Sequence, residues 1–469
     1  MTQSERFTRR VRSALRREAH GLLHAGPPTV QLMRPLGPSV PDDARVQQVL
    51  DLCMRVGEVL LSSGESVDET SQTMVRLAAT AGLSAVDVDI TFSSITMCCH
   101  RGMAAAPVTS MRLVHYRALD LTRLEAVARI VHRVERAELD IESAAAALSE
   151  AVSAPHPYPR WVATAGWAGL AASVALFLGA APITAVAAFV ITGLIDRLGR
   201  WLNRWGLPAF FRQVVGGLVA TGATLALFAV GVFPPGTRPS LVVAASITVL
   251  LSGLSVVGTV QDAISSHYVT SAGRVAEIAL LSAGLLTGVV VALKIGFAFG
   301  LALEVAGELP SGAGQFSLSV LAAAMAAASF SLAGYARPRP LLAAGLAGAA
   351  GWSTYGALTQ VLTIGPVAAT GAAAIVVGVA TGLLRRFGGV APLVVTLAGI
   401  TPLLPGYTAY RGFYQLAVEG LADGLVTVTV ALGIGLALAA GVAFGDFLAR
   451  PRRPATPTVV DTTVEDERQ

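Results

Sequence analysis

Apolar and polar positions follow two regimes that meet near residue 155. Before that point the pattern is that of a small amphipathic domain. Val46, Val49, Leu50, Cys53, Gly57 and Leu60 recur at helical spacing, and Gly64 follows as a stop signal. SVDE at 66–69 has the Ser-x-x-Glu form of a capping box, which opens a second helix with Thr70, Met74, Leu77 and Ala81 on one face. Alternation then sets in, with Val86, Val88, Ile90 and Phe92 against Asp87, Asp89, Thr91 and Ser93, as in a half-buried strand. Short strands are expected near 94–100 and 107–116, and helices at 120–137 and 140–152.

After the breaker APHPYPR (154–160) the alternation gives way to long apolar runs. Segments of spanning length, or slightly short of it, lie near 161–181, 182–195, 213–233, 239–260, 275–303, 315–334, 340–360, 364–384, 390–404 and 424–448. That makes ten, with 182–195 the shortest. The fold class expected is therefore a mainly α membrane protein: a small cytosolic α+β domain followed by ten transmembrane helices. The boundaries are a basic arm at 1–41, the α+β domain at 42–153, five-helix halves at 160–309 and 310–449, and a tail at 450–469.

Charge supports this count. Arg197, Arg200, Arg204 and Arg212 follow span two, Arg274 span four, Arg337 and Arg339 span six, Arg385 and Arg386 span eight, and Arg450, Arg452 and Arg453 span ten. All fall on the side of the N-terminal domain, whereas the opposite side holds Arg238, Arg411 and Lys294. The positive-inside rule then places both termini in the cytoplasm of a multi-pass bacterial inner-membrane protein. Adding or removing one span would scramble the alternation.

Composition agrees with a bilayer as solvent. Hydrophobic residues make up 54% and charged residues 14%, and glycine occurs 48 times, which is far from an ordinary soluble chain. The net charge of +4 is carried almost wholly by arginine outside the apolar runs, a balance that speaks for membrane topology rather than nucleic acid. Cys53, Cys98 and Cys99 form neither a CxxC pair nor a ligand set with histidine, so no metal or cofactor is expected. No signal peptide is expected either, because the first long apolar run begins near Trp161. Asp87 and Asp89 fit a paired-carboxylate site or, more routinely, the solvent face of an edge strand.

Ten spans divide into five and five, and an odd number per half means that a repeat must run through the membrane in opposite directions. LLSG at 250–253 lies in the fourth span of the first half and LLPG at 403–406 in the fourth span of the second, each followed by a polar segment. Inverted repeats with paired Pro/Gly-interrupted spans point to the binding site of a secondary transporter. A break frees backbone groups that are costly in lipid unless something polar meets them, and a substrate with amino and carboxylate groups is one candidate. TPLLPGYTAYRG (401–412) then reads as a broken span whose backbone, with Tyr407, Tyr410 and Arg411, lines a hydrophilic cavity. The alternative is a kink before an external loop, with Arg411 snorkelling to the headgroups. In the first half, Gln261, Asp262, His267, Arg274 and Glu277 follow the break. Asp262 is either an interfacial charge or a coupling group, since intramembrane carboxylates are the usual proton carriers. Glycine pairs such as Gly378 with Gly382 and Gly441 with Gly445 are expected to serve close helix packing.

VLDLCMRVGEVLLSSGESVDETSQTMVRLAATAGL, followed by VDVDITFSSITM, resembles the opening of the threonine/serine exporter family. LLSGLSVVGTVQDAISSHYVTSAGRVAE resembles its first-half motif and PLLPGYTAYRGFYQL its second-half motif, so the likeness covers about 42–448. By position it implies Gly253, Asp262 and Arg274 in the first half, and Pro405, Gly406 and Arg411 in the second, as characteristic residues. Ser252 stands where many members have proline, which implies a softer first break. The resemblance further implies proton-coupled export of threonine and serine. The partners expected are these amino acids, small peptides, protons and the bilayer, with oligomerisation left open. Two rivals remain, a membrane-anchored enzyme and a metabolite sensor, each with 42–153 as the active domain. Against the enzyme, the chain has no GxSxG, HExxH or CxxC, and it lacks the GxxxxGK[ST] of direct ATP coupling.

Overall fold

A computed structural model describes residues 42–101, 105–114, 119–251, 253–301, 313–387, 392–416 and 421–449. The expected basic arm, Ser252 and the C-terminal tail lie outside the described residues, as do the surroundings of Gly253 and the side chains of Arg385 and Arg386.

The N-terminal region follows its sequence pattern. Helix α1 (Asp43–Ser62) buries Val46, Val49, Leu50, Cys53, Gly57 and Leu60, and Gly64 ends it at φ +96°. Helix α2 (Val67–Thr80) starts at the expected cap, where the Ser66 side chain accepts the Glu69 N–H at 3.3 Å. The helices meet where Gly57 faces Met74; a Cβ there would lie 2.5 Å from the sulfur. Strands β1 (Val86–Thr91), β2 (Ser94–Cys99) and β3 (Val108–Leu113) form an antiparallel sheet in the order β1-β2-β3, with Thr91 opposite Ser94 across a two-residue turn. Val86 and Ile90 are buried while Asp87 and Asp89 are exposed on this edge strand; Asp87 pairs with His100 and Asp89 accepts from Thr91. Phe92, expected as the last inward strand position, is instead the first turn residue at φ +52°. A bulky side chain in that region stores strain, about 1–3 kcal/mol, which its contacts must outweigh. Helices α3 (Leu121–Glu135) and α4 (Ile141–Ser153) complete the region, capped by Asp120 and Asp140.

The rest is helical: α5 (Arg160–Phe177), α6 (Pro182–Arg204), α7 (Ala209–Ala229), α8 (Ser240–Leu250), α9 (Gly253–Ile264), α10 (Tyr268–Ala298), α11 (Ala313–Ala333), α12 (Pro338–Gln360), α13 (Pro366–Phe387), α14 (Pro392–Gly399), α15 (Gly406–Tyr414) and α16 (Leu421–Ala449). Among the described residues six helices are long and apolar enough to cross a membrane, or seven if the bent pair α8 and α9 counts as one. The chain is thus a mainly helical multi-pass membrane protein with a small N-terminal α+β region. The shortest expected span is a full helix, α6, because Asp196 and Arg200, where the apolar run ends, pair with each other one turn apart.

Glycines set the closest helix contacts. On the α7/α10 seam a Cβ at Gly217 would collide with the Leu285 carbonyl, and one at Gly288 with that of Val214. On the α13/α16 seam Gly441 meets the Gly371 carbonyl, Gly445 that of Ile375 and Gly378 that of Val442. The packing role expected for the glycine pairs is what these backbones require.

Candidate substrate and coupling site

Both expected breaks are present. Helix α8 ends at Leu250, Leu251 is extended, and α9 leaves at 46° to α8. In the second half α14 gives way to a tight 3-10 turn at Thr401–Leu403, Leu404 is extended, and α15 begins at Gly406. Some of the freed backbone groups meet protein atoms. Gln213 Nε2 donates to the Leu250 carbonyl at 3.1 Å. Leu404 N–H bonds the Thr401 carbonyl and Gly406 N–H the Leu404 carbonyl at 2.8 Å. The two breaks also touch each other, since any side chain at Gly406 would run into Thr248 on α8.

Beyond the first break sits a buried ion pair. Asp262 on α9 is fully buried, and its Oδ2 lies 2.5 Å from Nη1 of Arg274 on α10, itself 5% exposed. The other carboxylate oxygen accepts the Val67 N–H at 3.0 Å, from the first turn of α2 in the N-terminal region. The chain reverses between the partners at a turn where His267 N–H bonds the Asp262 carbonyl, and Ser271 Oγ donates to the Thr259 carbonyl at 3.0 Å. Gly258 leaves room for the guanidinium, with a Cβ there 3.3 Å from Nη1. A buried pair of this kind resists loss of one partner by about 3–5 kcal/mol, because the other charge is stranded.

Arg274 and Gln261 line a cavity of about 740 Å³ between the N-terminal region and the bundle, within the size range of small-molecule sites. Its N-terminal wall carries Glu65, Glu69, Arg76 and Glu125; its bundle wall includes Trp167, Phe330, Thr396 and Asp446. Asp262 does not line it and lies behind Arg274. Asp446 is absent from the residues the sequence pattern points to, and its one signal there is a carboxylate near the end of the apolar helix α16.

The second-half candidates lie elsewhere. Pro405, Gly406, Tyr407, Tyr410 and Arg411 do not line this cavity. Tyr410 is 5% exposed and packs with Tyr414 against Ile247, Leu285 and Val289, an apolar setting in place of the hydrophilic lining expected for it. Arg411 is exposed, and Tyr407 lies within electrostatic reach of Arg411 and Arg238. Among the described residues no group of three His, Cys, Asp or Glu side chains is placed to hold a metal.

Helices long and apolar enough to span, one bent pair among them, and a buried ion pair beside a cavity define the class as far as a multi-pass membrane protein. A family model described as "Putative threonine/serine exporter" matches residues 51–296, and one described as "Threonine/Serine exporter, ThrE" matches 319–448. A "Probable threonine/serine exporter" of Mycobacterium tuberculosis is 37% identical over 420 residues, spanning 88% of this chain and 78% of that protein. A "Threonine/serine exporter" of Corynebacterium glutamicum is 33% identical over 426 residues, 90% of this chain and 86% of its own. The "Probable succinate transporter subunit YjjP" of Escherichia coli is 24% identical over 262 residues, 53% of this chain but 94% of its own length. No solved structure matches the chain. The chain belongs to the threonine/serine exporter family, a family of transporters rather than enzymes.

Proposed function

We propose that this exporter passes threonine and serine through two inverted five-helix halves, from the cytoplasm into the 740 Å³ cavity and out past α15, in exchange for protons. The observation that carries the reading is the Asp262–Arg274 pair at the inner edge of the cavity. A zwitterionic amino acid offers Arg274 a carboxylate and Asp262 an ammonium, the two charges the pair now supplies to itself. A carboxylate that holds the substrate ammonium in one half-cycle and a proton in the other makes the two occupancies mutually exclusive. Exchange of proton for substrate requires that exclusion.

Packing supports the ten-helix, five-plus-five arrangement. In each half the first helix packs on the second, the second on the third and the third on the fifth. The leading piece of each broken fourth helix packs on the first three, and its trailing piece packs on the fifth. Across the halves, α5 meets α11, first helix against first. The boundary between the two family matches falls between α10 and α11. Support for one shared, cytoplasmic end comes from contacts near the N-terminal region. The start of α5 meets the end of α6 through Thr164 and Arg200; the α11–α12 turn meets α3; and Asp446 near the end of α16 faces the cavity. Alternation over ten spans brings these ends together. Pro405, Gly406, Tyr407, Tyr410 and Arg411 then belong to the opposite gate, with Arg238 beside it.

The test is labelled threonine in proteoliposomes under an imposed pH gradient. Asp262→Asn keeps the shape while removing the charge and one of the two acceptors, and should lower gradient-driven transport on the order of tenfold or more, the scale of ~1.4 kcal/mol. Combining it with Arg274→Gln should restore stability without restoring flux. Parental transport by Asp262→Asn at every pH would overturn the coupling role.

A further inference from the structure

Hydrogen bonds are among the contacts that fasten the N-terminal region to the bundle, and two of the places where they form fall on the elements that carry the ion pair. The Val67 N–H bonds Asp262 at 3.0 Å. Thr270, one turn before Arg274, accepts the Phe92 N–H at 2.9 Å and donates to the Ile90 carbonyl at 3.2 Å, gripping the β1–β2 turn from both sides. The Phe92 ring seats over Gly273, where a Cβ would come within 2.9 Å of it. The third contact reaches the other half: Leu121 N–H bonds the Gly334 carbonyl at 2.9 Å, and the Thr122 hydroxyl donates to the Tyr335 carbonyl.

We propose that the N-terminal region is the inner gate of the transporter, latched shut by the bond from Val67 to Asp262, with Thr270 as the positioning residue that ties the gate to the Arg274 helix. The inference rests on placing substrate exchange at Asp262 and Arg274. In the latched state one Asp262 oxygen is held by Arg274 and the other by the first turn of a helix, and no surface of the side chain is open. Neither a proton nor an ammonium reaches it until that turn lifts. A helix N-terminus favours negative charge, so neutralising Asp262 loosens the latch, and the gate responds to the coupling group itself. The titratable and charged groups sharing its surroundings are Arg274 on α10, Glu65, Asp68 and Glu69 around the start of α2, His267 in the adjoining turn and Asp446 on α16. The region also bridges both halves, and alternating access moves one half against the other, so it cannot stay fixed to both through a cycle.

Two measurements decide it. Val67 is the first residue of α2 and Ser66 before it is already extended (φ −68°, ψ 154°), so proline fits there and deletes only the N–H. Val67→Ala loses a similar amount of packing but keeps the donor. Val67→Pro should reach half-maximal threonine transport at a several-fold lower concentration than Val67→Ala, because the open gate is more populated. Equal values overturn the latch. In a chain with Cys53, Cys98 and Cys99 replaced, cysteines at Thr122 and Tyr335 joined by a cleavable bis-thiosulfonate reagent should stop transport, with recovery on reduction. Undiminished transport by the linked protein, measured against the same protein unlinked, overturns the gate whatever Asp262→Asn does. Arrest on linking together with parental transport by Asp262→Asn would instead remove the pair's coupling role and leave a gate without that latch.

Discussion

The helix broken after Leu250 and the helix broken around Leu404 part company in what lies beyond the break. Beyond the first, α9 leads within a dozen residues to a fully buried carboxylate, whose arginine on the next helix lines a cavity roofed by the N-terminal region. Beyond the second, α15 carries tyrosines into an apolar seat and leaves Arg411 exposed. Among the described residues, the Leu250 carbonyl at the first break is met by Gln213, and the Leu404 and Gly406 N–H groups at the second by carbonyls of a tight turn. An interrupted helix is therefore a means of placing side chains at mid-bundle, and the chemistry comes from the side chains placed. If the halves are inverted copies, the charged pair marks the inner face and Arg411 the outer.

The comparison is broken most directly by removing charge on each side. Arg411→Gln should change transport by no more than a few-fold, against the tenfold or greater loss for Asp262→Asn; equal losses would mean that both breaks carry chemistry. Next in size is Gly406→Ala, which drives a methyl into Thr248 and should cost about 1–3 kcal/mol of thermal stability in detergent, as overpacking does. Thr248→Ala should recover part of that loss. An unchanged melting curve for Gly406→Ala would mean that the two breaks do not bear on each other. Smaller again, Gln213→Leu leaves the Leu250 carbonyl without its donor and should cost about 1 kcal/mol, with no matching site in the second half. The smallest effect is a control on the N-terminal region. Burial pushes the Cys53 thiol up to about 12, so it should stay unlabelled by maleimide from pH 7 to 9 in every variant, while half-buried Cys98 reacts.

Local features were legible in the chain. The capping box at Ser66, the alternation at 86–91 and the positions of both breaks depend on neighbours in sequence, and each is where the pattern put it. The Asp262–Arg274 pairing was within reach because a single turn separates the two helices that carry it. What covers that pair was not, because Val67 stands 195 positions away and contributes a backbone N–H, which leaves no mark on residue choice. Gln213 at the first break was hidden for a related reason, lying 37 positions from the carbonyl it satisfies. Tyr410 misled because a tyrosine beside a proline and a glycine looks polar in a string, whereas its ring sits among aliphatic side chains.

The hydrophobic cluster of the N-terminal region includes two residues from the far end of the chain, Ala336 and Val394, each at most 2% exposed. On the ribosome, residues 43–153 emerge before the bundle, yet that cluster cannot be completed until residue 394 has been made. At ordinary synthesis rates the interval is on the order of tens of seconds. For that time the nascent domain presents an uncovered apolar patch, the kind of surface that recruits chaperones. Its closure waits on Val394, so a region translated ahead of the bundle is completed only after most of the bundle has been made.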